Sequence, residues 1–324
     1  MSPKNQTIVA FSRRAAAAAA IIAVHTAALA QSANPALFVA PDFTPVATSA
    51  GTPAAMPAVV TSATHPLPPD VTKQAATASA AAPAATPIVC SAPAEFSHLD
   101  RPLVHTMRRL ANGEPLTIVA IGSSSTAGAG ASSAAASYPS RLAVELKERF
   151  PGHDITVLNR GINGEETDQM MARFSADVVA AQPQLVLWQV GTNSVLRDRP
   201  LDAHSVQLHQ GIDELKAANV DVVLIDPQFA PAVNVKPETS DMVEQIALAA
   251  KEENVDLFRR FAVMRNWYEV QHLPFDAFVS PDSLHMNDWS YACWAKLLGG
   301  AIAEAASRPI ASAAAPAAPA TSLP

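Results

Sequence analysis

The sequence has 324 residues, 49% hydrophobic and 16% charged, which is room for one large domain or two small ones. Alanine supplies much of the hydrophobic count, so less core can be built than that figure suggests. With 22 basic against 29 acidic residues, a formal net charge of -7 and no basic stripe, nucleic acid is not an expected partner.

The chain opens with a secretory pattern. Lys4, Arg13 and Arg14 precede an apolar run from Ala15 to Val24, and "ALA" at 28–30 offers small residues for cleavage before Gln31. Residues 1–30 are therefore expected to be a signal peptide and the remainder to be periplasmic or secreted. The run is too short and too alanine-rich for a good membrane span, so no stable span is expected after cleavage. "SRR" at 12–14 hints at twin-arginine export, without the rest of that motif. Removal of the signal takes away three basic residues and no acidic ones, so the exported part is the more acidic. Residues 31–95 are rich in Ala, Pro, Ser and Thr, with stretches such as "AAAPAATPIV" that lack charge and period. They are expected to form a disordered spacer.

From 96 to 306 the pattern changes to strand and helix in alternation. Apolar runs occur at "LTIVAI" (116–121), "ITVL" (155–158), "LVLWQV" (185–190) and "VDVVLI" (220–225), as expected of parallel strands buried on both faces. Helical spacing separates them: Leu142, Leu146 and Phe150 fall at i, i+4, i+8, as do Met170, Phe174 and Val178, each trio expected on one helix face. A final helix fits Asn287 to about Ala306, with Asn287 as N-cap and Trp289, Cys293 and Leu297 on one face. Residues 307–324 return to low complexity. Alternation of this kind predicts a three-layer α/β domain with right-handed crossovers.

In an open parallel sheet, ligands sit outside the carboxyl ends of the strands. Polar clusters follow the apolar runs directly: "GSSST" after the first, "NRGINGEE" after the second, "GTNS" after the third, with "DSLH" near the end of the domain. The serine cluster has three readings: a capped turn, a phosphate loop, or the seat of a nucleophile held at a helix start. The Walker form fails because no Lys follows Gly128, and the dinucleotide form fails on the spacing of Gly122, Gly128 and Gly130. A flavodoxin-like flavin loop, also rich in Ser, Thr and Gly, stays open on the serines alone. The "DSLH" cluster discriminates. Asp282 and His285 can pair so that the carboxylate fixes the imidazole tautomer, an arrangement that suits proton transfer from a serine and is of no use to a phosphate module. Donors for a developing oxyanion are available in the N–H of Ser124, the N–H of Gly164 and the side-chain amide of Asn193.

The ordered blocks "IGSSST", "NRGINGEE", "VGTN" and "DSLHMND" resemble the SGNH hydrolases, also called the GDSL esterase/lipase family, over about 115 to 305. The resemblance implies the flavodoxin-like parallel five-stranded sheet of that family in a three-layer α/β/α arrangement. It also implies Ser124 as nucleophile, His285 as base, Asp282 as its partner, and Ser124, Gly164 and Asn193 as the oxyanion hole. Three adjacent serines mean that chemistry alone does not choose among them; the alignment of the first block does. Ser123 stands where the family's first block has Asp, and Ser194 where an Asp often follows the oxyanion Asn. Thr126 stands where the elbow of the α/β-hydrolases has its second Gly, which excludes that fold's motif.

The expectation is an exported serine ester hydrolase working through an acyl-enzyme, with no cofactor and no metal, since no His/Cys/Asp cluster has ligand spacing. Without an evident apolar lid, short acyl groups are favoured, among them acetyl esters of a polysaccharide. "IDPQFAP" sets Asp226, Gln228 and Phe229 near the same sheet edge as candidate substrate-binding residues, or as a Pro-shaped loop. An O-acyltransferase with the same acyl-enzyme, a flavodoxin-like module and a non-catalytic carbohydrate-binding relative are the alternatives. Cys90 and Cys293, the two cysteines of an exported chain, are expected to form a disulfide that ties the start of the domain to its final helix.

Overall fold

The computed structural model describes residues 88–309; the expected signal peptide, the spacer up to residue 87 and the tail from residue 310 lie outside the described residues. The apolar runs form strands β1 (Leu116–Gly122), β2 (Ile155–Gly161), β3 (Leu185–Gln189) and β4 (Asp221–Ile225), joined by a short β5 (Asp256–Phe258). All pair in parallel in the order β2-β1-β3-β4-β5. This is a doubly wound order of the flavodoxin type. Burial follows position in the sheet: β3 is buried throughout, whereas β2, at an edge, exposes Thr156 and Asn159.

Helices cover both faces, giving three layers with the sheet in the middle. The Tyr138–Arg149 helix packs on the final helix, Asp288–Ala305, and the Leu201–Ala217 helix on Thr239–Glu252. The final helix is capped as its sequence predicts. The Asn287 side chain accepts the Ser290 N–H and the Ser290 side chain answers to the Asn287 backbone.

Met170, Phe174 and Val178 are all buried, but they do not share one helix. The chain breaks into Thr167–Met171 and Phe174–Asp177, because Arg173 leaves helical geometry (φ -112°). Its guanidinium reaches Glu165 at 2.7 Å and Asp177 at 2.7 Å, and donates to the Arg160 carbonyl at 2.7 Å. Side chains at a 3.6-residue spacing can thus be buried together without a continuous helix between them.

The disulfide joins Cys90 to Cys293, with an S–S distance of 2.06 Å and Cα atoms 5.3 Å apart. The segment leading into the domain is further held by its carbonyls: Ser91 O accepts from Trp267 Nε1 (2.9 Å) and Gln271 Nε2 (3.1 Å). Among the described residues, no helix is long and apolar enough to cross a membrane.

Candidate active site

The sheet order changes direction between β1 and β3, and the crevice outside their carboxyl ends receives the loops after β1, β2 and β3. β1 stops at Gly122, whose register partner is Gly161 at the end of β2. A Cβ on Gly161 would lie 2.6 Å from Ala127 Cα, so only glycine lets the short Ser124–Ala127 helix sit against β2.

The three serines face different ways. Ser123 is buried, its N–H and hydroxyl both directed to Gln189 Oε1 at 3.0 and 3.1 Å. Ser125 is buried with its hydroxyl 3.4 Å from Gln228 Oε1. Ser124 alone is half-buried, and its Oγ lies 2.8 Å from His285 Nε2. As first residue of its helix, it has an N–H without an intrahelical partner.

His285 Nδ1 lies 2.6 Å from Asp282 Oδ2. A carboxylate only accepts, so Nδ1 carries the proton, and the Nε2 lone pair receives the Ser124 hydroxyl. Asp282 Oδ1 accepts from the Ser280 hydroxyl (2.7 Å) and from the backbone N–H groups of Leu284 and His285 (both 2.9 Å). Partial burial works to raise the Asp282 carboxyl. The His285 ring, the two N–H groups and the Ser280 hydroxyl outweigh it and hold the group well below the usual carboxylate range. The loop is closed by a bridge between Val279 and Met286 and by Ser280 N–H to His285 O at 2.7 Å.

Gly164, in the loop after β2, has φ +80°, a conformation that favours glycine. Asn193, in the Thr192–Leu196 helix after β3, donates through Nδ2 to Glu165 O at 2.7 Å. An amide carries two N–H donors, so one is left for a ligand. Arg173 holds the Glu165 side chain through Nε, at 2.8 Å to one oxygen and 3.1 Å to the other, and so braces the loop on which Gly164 sits.

Asp226 and Gln228, the candidate substrate-binding residues or else part of a Pro-shaped loop, are both buried. Each is 1% exposed. Asp226 accepts the Phe261 N–H at 2.8 Å, and Gln228 bonds to four partners inside the fold. Both are tied to the start of the Arg260–Glu269 helix, Asp226 by the Arg260 guanidinium and the Phe261 N–H and Gln228 by the Arg260 guanidinium. Phe229 is half-buried among aromatic rings, 5.3 Å from Phe261 and 5.8 Å from Phe275 between centroids. Gln189, Arg173, Thr192 and Arg260 are braces that reading the sequence missed. Gln189 alone carried a signal, as the polar member of an otherwise apolar strand run. Among the described residues, no three or more His, Cys, Asp or Glu side chains are grouped to hold a metal ion.

The model of the non-GDSL lipase-like family matches residues 89–308. An arylesterase of Vibrio mimicus is 33% identical over 110 residues, covering 34% of this chain and 53% of that one. An acetylxylan esterase of Geobacillus stearothermophilus is 28% identical over 125 residues, 35% of this chain and 57% of its own. The match thus spans little more than half the length of these curated relatives. Among solved structures, a two-domain esterase active on acetylated mannans has the same fold, with a TM-score of 0.58 at 20% identity over 69% of this chain and 59% of its own.

Proposed function

The chain belongs to the non-GDSL lipase-like family, within the SGNH hydrolases, and from that premise we propose that it is an exported serine ester hydrolase acting on short-chain, chiefly acetyl, esters of carbohydrates. The observation that carries this reading is the line from Ser124 Oγ to His285 Nε2 at 2.8 Å and from His285 Nδ1 to Asp282 at 2.6 Å. The absence of Asp from the first block fits the family's name: Ser123 fills that position and turns inward to Gln189.

The reaction follows from these contacts. Ser124 Oγ attacks the ester carbonyl carbon while His285 Nε2 takes the hydroxyl proton. The carbonyl oxygen becomes an oxyanion, received by the N–H groups of Ser124 and Gly164 and the free N–H of Asn193. As the intermediate collapses, the C–O bond to the alcohol breaks and His285 returns the proton to the leaving oxygen. Water then attacks the acyl-enzyme, again losing a proton to His285, and the carboxylic acid leaves with Ser124 restored. Asp282 stays ionised and stabilises the imidazolium formed in each half-reaction.

Acetyl esters are supported by the acetylxylan esterase among the relatives. The secretory pattern of residues 1–30 and the Cys90–Cys293 bridge support export. The test is a fluorophosphonate probe together with a panel of acyl esters from acetyl to palmitoyl. Labelling at Ser124 with fastest turnover at the acetyl end is expected. A protein that neither labels nor hydrolyses any ester overturns the reading, and fastest turnover of palmitoyl esters overturns its short-acyl part.

A further inference from the structure

After β4 the chain reads Asp226-Pro227-Gln228, and the Gln228 side chain is buried below the loops of the site. Its Oε1 accepts from Thr192 Oγ1 at 3.0 Å, from an Arg260 terminal nitrogen at 3.1 Å and from Ser125 Oγ at 3.4 Å. Its Nε2 donates to the Leu284 carbonyl at 3.3 Å. The amide cannot be turned over. A guanidinium has only donors, so the oxygen must face Arg260 and the nitrogen must face Leu284.

Three of these four partners stand one residue from a group of the proposed reaction. Ser125 follows Ser124, Thr192 precedes Asn193, and Leu284 precedes His285. Three segments far apart in the chain therefore meet at one amide. Arg260 is itself immobilised: it is 1% exposed, its Nε donates to the Asp226 carbonyl at 2.9 Å, and its guanidinium lies 5.0 Å from the Trp294 ring centroid. A charged donor on the Gln228 oxygen makes that bond stronger than one between neutral groups.

We infer that Gln228, anchored by Arg260, is a positioning residue that holds the nucleophile turn, the Asn193 loop and the His285 loop in register with one another. The inference rests on the serine-esterase reading. Attack requires the reacting atoms to be held at roughly 3–3.5 Å, and a displacement of about 1 Å can cost ~10²-fold in rate. A residue acting in this way governs kcat and leaves substrate binding nearly alone.

The experiment compares wild type with Gln228→Met, which removes all four bonds, Gln228→Glu, which keeps the acceptor but sets an oxygen against the Leu284 carbonyl, and Thr192→Val, which cuts one arm. The readouts are kcat and KM on an acetyl ester, the rate of fluorophosphonate capture of Ser124, and Tm. Expected are ~10- to 100-fold losses in kcat for Gln228→Met, with KM within about twofold, a parallel slowing of probe capture, and smaller losses for Gln228→Glu and Thr192→Val. Wild-type kcat and capture rates in folded Gln228→Met, whatever its Tm, overturn the inference. Should that variant not fold, wild-type rates in both Gln228→Glu and Thr192→Val do the same. A wild-type protein that the probe does not label at all instead removes the esterase reading itself, so the two failures are separable.

Discussion

At the scale of single residues, the structure separates three adjacent serines by what lies opposite each. Ser123 and Ser125 are spent on Gln189 and Gln228, and only Ser124 meets an imidazole. Ser124→Ala is expected to lower kcat by on the order of 10⁶ without loss of fold. Ser123→Ala should leave most of the activity and cost about 1 kcal/mol of stability for a lost buried hydrogen bond, while Ser125→Ala, which cuts one arm of Gln228, should lose kcat only to the modest extent expected of Thr192→Val. Kinetics and thermal melts of the three variants check this, and an active Ser124→Ala beside a dead Ser123→Ala or Ser125→Ala would mean that the nucleophile is wrongly assigned. A second residue-scale prediction concerns Asp226. Burial pushes its carboxyl up to about 7, against the Phe261 N–H and the Arg260 charge, which favour the ionised form. A carboxyl whose folded value is raised keeps its proton in the native state after the unfolded chain has lost it, so stability falls as pH rises from about 4 to about 7. Asp226→Asn should flatten that slope, seen as a smaller drop in Tm between pH 5 and pH 7.5 than in wild type. An equal drop in both proteins would exclude Asp226 as its source.

Among the elements, the strands were legible where their apolar runs were long. β1 to β4 appear within a few residues of "LTIVAI", "ITVL", "LVLWQV" and "VDVVLI", and the final helix begins beside its Asn287 cap. β5 was not seen as a run because it has only three residues, and it is buried against β4 and the Thr239–Glu252 helix. The break at Arg173 was invisible for a different reason: the partner Glu165 belongs to the preceding loop, outside any helical period. The disulfide belongs to this scale as well, since it ties the leading segment to the final helix across 203 positions. Loop-closure entropy for so long a span sets a ceiling of about 5 kcal/mol on its contribution. Cys90→Ser together with Cys293→Ser should lower Tm while changing kcat little, because the bridge lies two turns beyond His285 and touches none of the reacting groups. An unchanged Tm would show that the contacts of Ser91 with Trp267 and Gln271 suffice to hold the segment.

On the scale of the whole molecule, the order β2-β1-β3 makes neighbours of three strands whose following loops carry Gly164, Ser124 and Asn193. One donor of the proposed oxyanion pocket comes from each, so the pocket as proposed depends on the sheet rather than on any single loop. Asn193→Ala should lower kcat by roughly 10²–10³ with little change in KM. A rise in KM alone would make Asn193 a ground-state binding residue. The sequence by itself determined the alternation of strands and helices, the four polar blocks and their order, and the pairing of Asp282 with His285 three residues apart. Those features are carried by near neighbours, through periodicity, turn chemistry and caps. Only the tertiary structure decided which side chains at the strand ends face the crevice and which face the interior. That direction is set by partners that are distant in the chain: Gln189 for Ser123, His285 for Ser124, Gln228 for Ser125, and Arg260 for Gln228 itself. A polar residue after an apolar run reads the same in sequence whether it meets substrate or a buried guanidinium, because the difference lies in what the rest of the fold brings to it.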